Sequence, residues 1–277
     1  MALALRGSSR DSFATARKAL DSSLAGSSAK EAAHISSDLF AVAVALDSSL
    51  SLRRALTDPS RDAKDKSALA QSIFGSKLSV KAEAMVEALV ASRWSTPRDL
   101  ADVAEWLAVS AKAFAADQEN NLDRLEEELF RFGRTMNANP ELRSFLAPSS
   151  NGSSEGKAGV VQALLSGKAT AQTIELISHL VAHPRGRNIE AGLNEFAQAA
   201  SDRRNQVIAH VRTAQALTGA QLDKLTKSLS AQVGRNVRIN VEVDSAVLGG
   251  VSIRFADELI DGSLASRLAQ AGRELAV

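Results

Sequence analysis

The sequence predicts a mostly α-helical protein with a small α/β domain at its C-terminal end. Apolar residues recur at helical spacing through the first three-quarters of the 277 residues, and one segment of that region resembles a later one. Near residue 204 the apolar period changes to that of β-strands. We therefore expect two tandem helical bundles, at residues 1–105 and 106–204, followed by a small β-sheet domain with two helices at 205–277.

Helical periodicity is regular on both sides of the expected boundary at residue 105. Thr96, Pro97 and Asp99 have the residue types of an N-cap, a first-turn proline and a first-turn acid, so a helix is expected to begin there. Its apolar face carries Leu100, Val103, Leu107, Ala111 and Phe114. A second apolar stripe follows at Leu122, Leu125, Leu129, Phe132 and Met136. The Asn139–Pro140 break is expected to end that second helix.

The internal resemblance joins residues 38–77 to residues 128–168. At a separation of 90 residues the coinciding pairs are Leu39/Leu129, Phe40/Phe130, Leu52/Leu142, Arg53/Arg143 and Leu56/Leu146. After a slip of one residue they are Lys66/Lys157, Gln71/Gln162 and Lys77/Lys168. Each copy reads as a set of short helices around a loop that contains proline and serine. The repeat therefore predicts two similar helical bundles.

The C-terminal region alternates strands with helices. "NQVIAHVRT", "NVRINVEVD" and "VSIRF" have the two-residue apolar period of half-buried strands. Between the first two lies "TGAQLDKLTKSLSAQVG", where Thr218 and Gln221 have the spacing of a capping box and Gly234 follows the last turn. "SLASRLAQAGREL" predicts a second helix at the end of the chain.

Composition excludes several kinds of chemistry. The formal net charge is +1, from 33 basic and 32 acidic side chains, without the basic excess of a nucleic-acid-binding protein. The absence of cysteine excludes disulfides, thiolate zinc sites and cysteine nucleophiles. No stretch approaches the roughly 18 uncharged apolar residues of a membrane span. We therefore expect no cofactor, no nucleic-acid partner and no direct membrane span.

One segment has an incomplete likeness to a phosphate-binding loop. "GSSEGKAG" begins at residue 152, but it is one residue short between Gly152 and Gly156. Ala158 stands where the hydroxyl residue that ligates magnesium would be. We interpret the segment as a mobile loop of the second copy rather than a nucleotide site.

A second candidate is a histidine pair. His179 and His183 are four residues apart on an expected helix, with Glu175 one turn earlier, and this spacing can hold a metal. However, no glutamate follows the first histidine, and the aligned first copy has Ala88 and Ser92. We therefore expect no metal site and no catalytic residue.

The segment "LGGVSIRFADELIDGS" at residues 248–263 is interpreted as a structural joint. Gly249 and Gly250 precede a strand, whereas phosphate binding uses a glycine loop that opens a helix. They are expected to form a bulge or turn with positive φ. Asp261, Gly262 and Ser263 are expected to form a turn, with Ser263 capping the final helix.

The same segment carries a resemblance to a known family. In order and spacing its motif residues are Asp244, Leu248, Gly249, Gly250, Asp261, Gly262, Ser263 and Leu268. This pattern resembles the δ subunit of rotary ATP synthases, known in mitochondria as the oligomycin-sensitivity-conferring protein. "DSFATARKAL" near the N-terminus is similar to the family's opening helix. Usual members have one bundle, and two bundles are similar to the long actinobacterial form without a fused b-type segment.

The resemblance implies a non-catalytic stator subunit in the peripheral stalk of a proton-translocating ATP synthase. One bundle would hold N-terminal helices of the α subunits, and the C-terminal domain would hold the end of a b-type stalk subunit. The protein would then be peripheral, at the cytoplasmic face of the cell membrane. A helical-repeat adaptor of another assembly and a small enzyme using the His179/His183 face are the alternatives. Which bundle faces the catalytic head stays open.

Overall fold

The structure, a computed structural model, describes residues 3, 5–204, 206–215, 217–233, 236–243, 250–255 and 258–263. The chain divides into two compact units, Met1–Arg203 and Arg204–Val277. Most of the described residues lie in helices, and this confirms the mostly α class.

The first unit consists of helices joined by short loops. They are α1 Ser8–Leu24, α2 Ala29–Ser48, α3 Leu50–Thr57, α4 Ala63–Phe74, α5 Val80–Ala91, α6 Pro97–Gln118, α7 Leu122–Ala138, α8 Pro140–Leu146, α9 Ser154–Leu165, α10 Ala171–Ala182 and α11 Ile189–Arg204. A 3-10 turn at Gly75–Lys77 follows α4.

Local caps fix where several of these helices begin. Ser28 and Glu31 form a complete capping box at the start of α2. At α6 the Asp99 carboxylate accepts from the Thr96 backbone N–H at 3.1 Å, and Pro97 occupies the first turn. The helix start expected at Thr96 is therefore confirmed, because side-chain chemistry satisfies backbone donors that have no partner within the helix.

The order and length of the helices recur along the chain. The 12-residue helices α4 and α9 start 91 residues apart, at Ala63 and Ser154. The 12-residue helices α5 and α10 start at the same separation, at Val80 and Ala171. The short helices α3 and α8 follow long helices in both places. The helices thus keep the register of the sequence repeat.

Helix α6 lies at the centre of the first unit. Sixteen of its 22 residues are buried, including seven alanines that are at most 1% exposed. Small side chains let other helices approach α6 from all sides, and α2 makes the most extensive of these contacts. The expected boundary between residues 105 and 106 falls inside this continuous helix. One apolar core includes residues from both sides of that boundary, from α1 to α11.

The second unit contains helix α12, Gly219–Val233, and a four-stranded sheet. Its strands are β1 Gln206–Thr213, β2 Asn236–Val243, β3 Gly250–Phe255 and β4 Glu258–Ser263, in the order β2-β1-β3-β4. β1 is parallel to β2 and antiparallel to β3, and β3 is antiparallel to β4. The buried apolar residues are Val211, Leu229, Val237 and Ile253. Thr218 and Gln221 exchange the hydrogen bonds of the expected capping box.

The turn expected at Asp261, Gly262 and Ser263 is wrong, because these residues belong to β4. They pair with the beginning of β3, with Gly262 opposite Val251 and Ser263 opposite Gly250. β3 pairs with β1 along one edge, and β4 supplies backbone partners along the other. Four motif residues lie outside the described residues: Asp244, Leu248, Gly249 and Leu268. The second C-terminal helix, expected after Ser263, also lies outside them.

Membrane-spanning character was tested on the described helices. None of them, taken singly, combines the length and apolar composition that crossing a membrane requires. The adjacent helices α2 and α3 meet that requirement only together, and they are bent by 107° relative to one another.

Candidate functional site

The segment with a likeness to a phosphate loop forms the start of α9. The Ser153 side chain accepts from the Gly156 backbone N–H at 3.0 Å and so caps the helix. Lys157 is buried, and its Nζ donates to the carbonyl of Ala147 at 2.7 Å. The lysine that would contact phosphate therefore closes the loop between α8 and α9.

The first copy has an equivalent buried lysine. Lys66 is 4% exposed, and its Nζ lies 3.5 Å from the carbonyl oxygen of Ser92. Burial lowers the pKa of Lys66, and the nearby Arg93 adds to this effect. The aligned pair Lys66/Lys157 thus occupies interior positions in both copies, as expected for groups that hold loops to helices.

The histidine pair lies in the interior, where it contacts apolar and charged groups. The His179 ring stacks on Phe40 of α2 with centroids 3.8 Å apart, and the His183 centroid is 5.1 Å away. Burial lowers the pKa of His179 to about 3, and His183, Arg185 and Arg187 lower it further in the same direction.

The third residue of the suggested metal set contacts a different partner. Glu175 forms a salt bridge with Lys112, whose side chain is 3% exposed. Within the described ranges, no three His, Asp or Glu side chains are grouped as a metal site. In that part of the chain, the residues proposed as alternative metal ligands therefore serve packing and ion pairing.

A buried ion network joins the loop between α10 and α11 to α2 and α6. Arg185 lies 2.9 Å from Glu105, 2.6 Å from Asp102 and 3.4 Å from Asp47. Burial opposes the charge of Arg185, but Glu105, Asp102 and Asp47 together raise its pKa. Arg187 adds a second contact to Glu105 at 2.6 Å. Removing one partner from such a network leaves the remaining charges buried without compensation.

Sequence analysis did not identify this network. Arg185 has a positive φ of 54°, and it follows Pro184 in a loop that the repeat does not duplicate. Asp102 and Glu105 did leave a signal, because they place two acids one turn apart in an otherwise apolar helix. Their partner could not be identified without the fold.

Equivalent hydrogen bonds occur in the two copies. In the first, the Asp38 carboxylate accepts from the backbone N–H of Ser79 at 2.9 Å and from its hydroxyl at 2.6 Å. In the second, the Glu128 carboxylate accepts from the backbone N–H and hydroxyl of Thr170, both at 2.9 Å. Each contact ties a long helix to the N-cap of the fifth helix of its copy. The repeat therefore extends to polar contacts that the aligned leucines did not reveal.

The second copy also has an open groove between α7, α8 and α9. Its volume is about 550 Å³, and Phe132, Leu142, Leu164 and Leu165 form its apolar surface. No reactive set of side chains lines this groove. Its shape and chemistry are those of a surface that contacts another macromolecule.

The helical core, the buried ion network and the open groove define a class of protein: a helical scaffold that acts through contact surfaces. Comparisons with known proteins agree with that class. The family model described as "ATP synthase delta (OSCP) subunit" matches residues 108–275. The chain belongs to this family, and it is a structural, non-catalytic subunit.

The similar relatives are bacterial proteins named "ATP synthase subunit delta". One from Streptomyces avermitilis is 42% identical over 270 residues, covering 98% of both chains. One from Kineococcus radiotolerans is 40% identical over 274 residues, covering 98% of this chain and 97% of the relative. The family match begins within α6, so it includes the second copy and excludes most of the first.

Among solved structures, a chain in the cryo-EM structure of the Toxoplasma gondii mitochondrial ATP synthase hexamer is similar to this chain. It has 20% sequence identity and a TM-score of 0.27, and the match covers 61% of this chain and 95% of that chain. Neither fold nor function follows from a similarity at that level.

Proposed function

We propose that the chain is a stator subunit in the peripheral stalk of a proton-translocating rotary ATP synthase. The observation that carries this proposal is 42% identity, over nearly its whole length, to a protein named "ATP synthase subunit delta". In this role the protein connects the catalytic head to the membrane-anchored b-type stalk. It acts at the cytoplasmic face of the cell membrane as a peripheral component.

The helical unit has a physical property that suits a stator. A stator resists the torque of the rotor, so its parts must not shift under load. The Arg185 network ties α2 and α6 to the loop before α11, while Arg203 of α11 reaches Asp21 of α1 at 2.7 Å. Such contacts between distant helices oppose sliding of one copy past the other.

We assign the parts of the chain as follows. Residues 1–105 and 106–204 are two related bundles that share α6, and residues 205–277 are a small α/β domain with the motif from Asp244 to Leu268. The bundles contact N-terminal helices of the α subunits, and the α/β domain contacts the b-type stalk. The motif glycines Gly249, Gly250 and Gly262 shape the α/β domain rather than bind a ligand.

The test is binding to two separate subcomplexes from the same organism. The purified chain is mixed with the catalytic head and, separately, with the soluble part of the b-type stalk, and the mixtures are analysed by size-exclusion chromatography. We expect a stable complex with each. If neither subcomplex binds, the chain is an adaptor of another assembly and the proposal is wrong.

A further inference from the structure

The two copies differ at one place where the repeat predicts that they should agree. The groove between α7, α8 and α9 is open, and Leu164 on its surface is 41% exposed. The equivalent position in the first copy, Ile73, is partly buried against the core. The difference lies in the second copy's own side chains, and it indicates what the groove receives.

Two substitutions between the copies open the groove. Phe74, 7% exposed, and Leu78, partly buried, pack against the core in the first copy. At the same register the second copy has Leu165 and Ala169, and both line the groove. The second copy thus lacks part of the apolar volume that the first copy provides for itself, so the missing contacts are left for another molecule.

The shape of the groove fits a helix. Its residues on α7 run from Glu128 to Asn139, a length of about 16 Å or three helical turns at about 1.5 Å per residue. Its walls are helices whose backbone groups are bonded internally, so they offer no strand edge to an extended peptide. Side chains at helical spacing on one face of a partner helix can enter such a groove.

The charges at the groove favour an acidic side chain on that partner. Arg131 and Lys168 line it, and the Arg131 side chain is 70% exposed. Of the two acids present, Glu128 already accepts from Thr170 and Arg124. This leaves Glu141 against two cations. A carboxylate beside the apolar face of an incoming helix would therefore meet a net positive rim.

We infer that this groove is a docking site for an amphipathic helix of about three turns, with an acidic residue beside its apolar face, supplied by another subunit of the ATP synthase. This inference rests on the proposed function. It goes beyond that function because it assigns one contact surface to the second copy and to the residues by which that copy departs from the first.

The first experiment uses the absence of cysteine from the chain. Leu164→Cys is labelled with a photo-crosslinker and assembled with an ATP synthase preparation, from the same organism, that has been stripped of this subunit. After illumination, mass spectrometry identifies the crosslinked peptide. We expect a peptide from one other subunit with an acidic residue beside a helical apolar stripe. A crosslink to a second copy of this chain, to a peptide without that pattern, or to nothing overturns the inference.

The second experiment fills the groove with the first copy's own side chains. The double variant Leu165→Phe/Ala169→Leu should bind the stripped complex about tenfold more weakly, as expected when a well-packed contact is blocked. Leu164→Asp should have a similar effect without adding volume. Phe130→Ala is the control, because Phe130 is 65% exposed on α7 and does not line the groove.

The outcomes separate this inference from the proposed function. If the unaltered chain does not bind the stripped complex, the proposed function fails. If the unaltered chain and both groove variants bind equally well, only the docking site is wrong. Circular dichroism melting of each variant identifies any loss of binding that comes from unfolding.

Discussion

Arg185 and Glu105 are joined 2.9 Å apart in the interior, and their side chains are 2% and 3% exposed. Arg185 belongs to the loop before α11, and Glu105 lies in the middle of α6. The contact therefore connects a loop of the second copy to the helix that both copies share. It is the shortest route by which a force on α11 reaches the first copy through buried charges.

Arg185→Ala should lower the free energy of unfolding of the helical unit by about 3–5 kcal/mol. The substitution leaves Glu105, Asp102 and Asp47 close together without their common cation. Urea unfolding followed by circular dichroism measures the change. Arg61→Ala is the matched control, because its ion pair with Asp58 is exposed and should contribute about 1 kcal/mol or less. Equal effects of the two substitutions would mean that the buried network does not stabilise the unit.

Leu56→Ala and Leu146→Ala should each destabilise the chain by about 2–5 kcal/mol. These aligned leucines are both 0% exposed, and truncation leaves a cavity at equivalent positions of the two copies. Leu50→Ala serves as a comparison, since Leu50 is 49% exposed and its truncation should cost much less. A large loss of stability from only one of the two buried substitutions would show that the copies do not use these positions alike.

Lys157→Ala should weaken the loop before α9 without affecting any nucleotide binding. The amine is committed to the carbonyl of Ala147, and its loss leaves a buried acceptor unsatisfied at a cost of about 1–3 kcal/mol. Isothermal titration calorimetry of the unaltered chain with ATP should detect no tight binding. Micromolar binding that disappears in Lys157→Ala would restore the phosphate-loop interpretation.

Acidification should destabilise the helical unit partly through His179. Its pKa is about 3 in the folded chain and about 6.5 when unfolded, so the unfolded state binds the proton first as the pH falls. The stabilising contribution is fully present above about pH 6.5 and is lost progressively between that value and pH 3. From pH 7 to pH 5 the loss should be about 2 kcal/mol.

His179→Gln isolates this contribution, because glutamine does not titrate and carboxylates contribute equally in both proteins. The pH dependence of the free energy of unfolding should be steeper for the unaltered chain than for the variant. Parallel curves between pH 7 and pH 5 would mean that His179 is accessible to protons in the folded state.

The sequence indicated which residues of α6 face a core, but not that the helix is buried on all sides. The stripe from Leu100 to Phe114 is interior as expected. The opposite side is also interior, because other helices pack against its alanines. A one-dimensional pattern identifies the apolar side of a helix. It does not reveal that small residues on the other side also meet a neighbour.

Aligned residues also differ in environment where the copies are not equivalent in space. Phe40 and Phe130 coincide in the repeat, but Phe40 is 8% exposed and Phe130 is 65% exposed. Phe40 packs on His179 of α10 and lies near Phe196 of α11, both from the second copy. The loop that carries Arg185 was equally beyond prediction, since its left-handed backbone depends on the contacts that surround it.

The central claim is tested most directly by ATP-driven proton pumping in inverted membrane vesicles. Vesicles from the same organism are stripped of this subunit and then supplied with the purified chain, and acidification is followed by a fluorescent pH indicator. A stator subunit should restore pumping to stripped vesicles while adding no ATPase activity of its own. If ATP hydrolysis in the vesicles proceeds and pumping stays absent after the folded chain is added, the chain does not couple the head to the stalk.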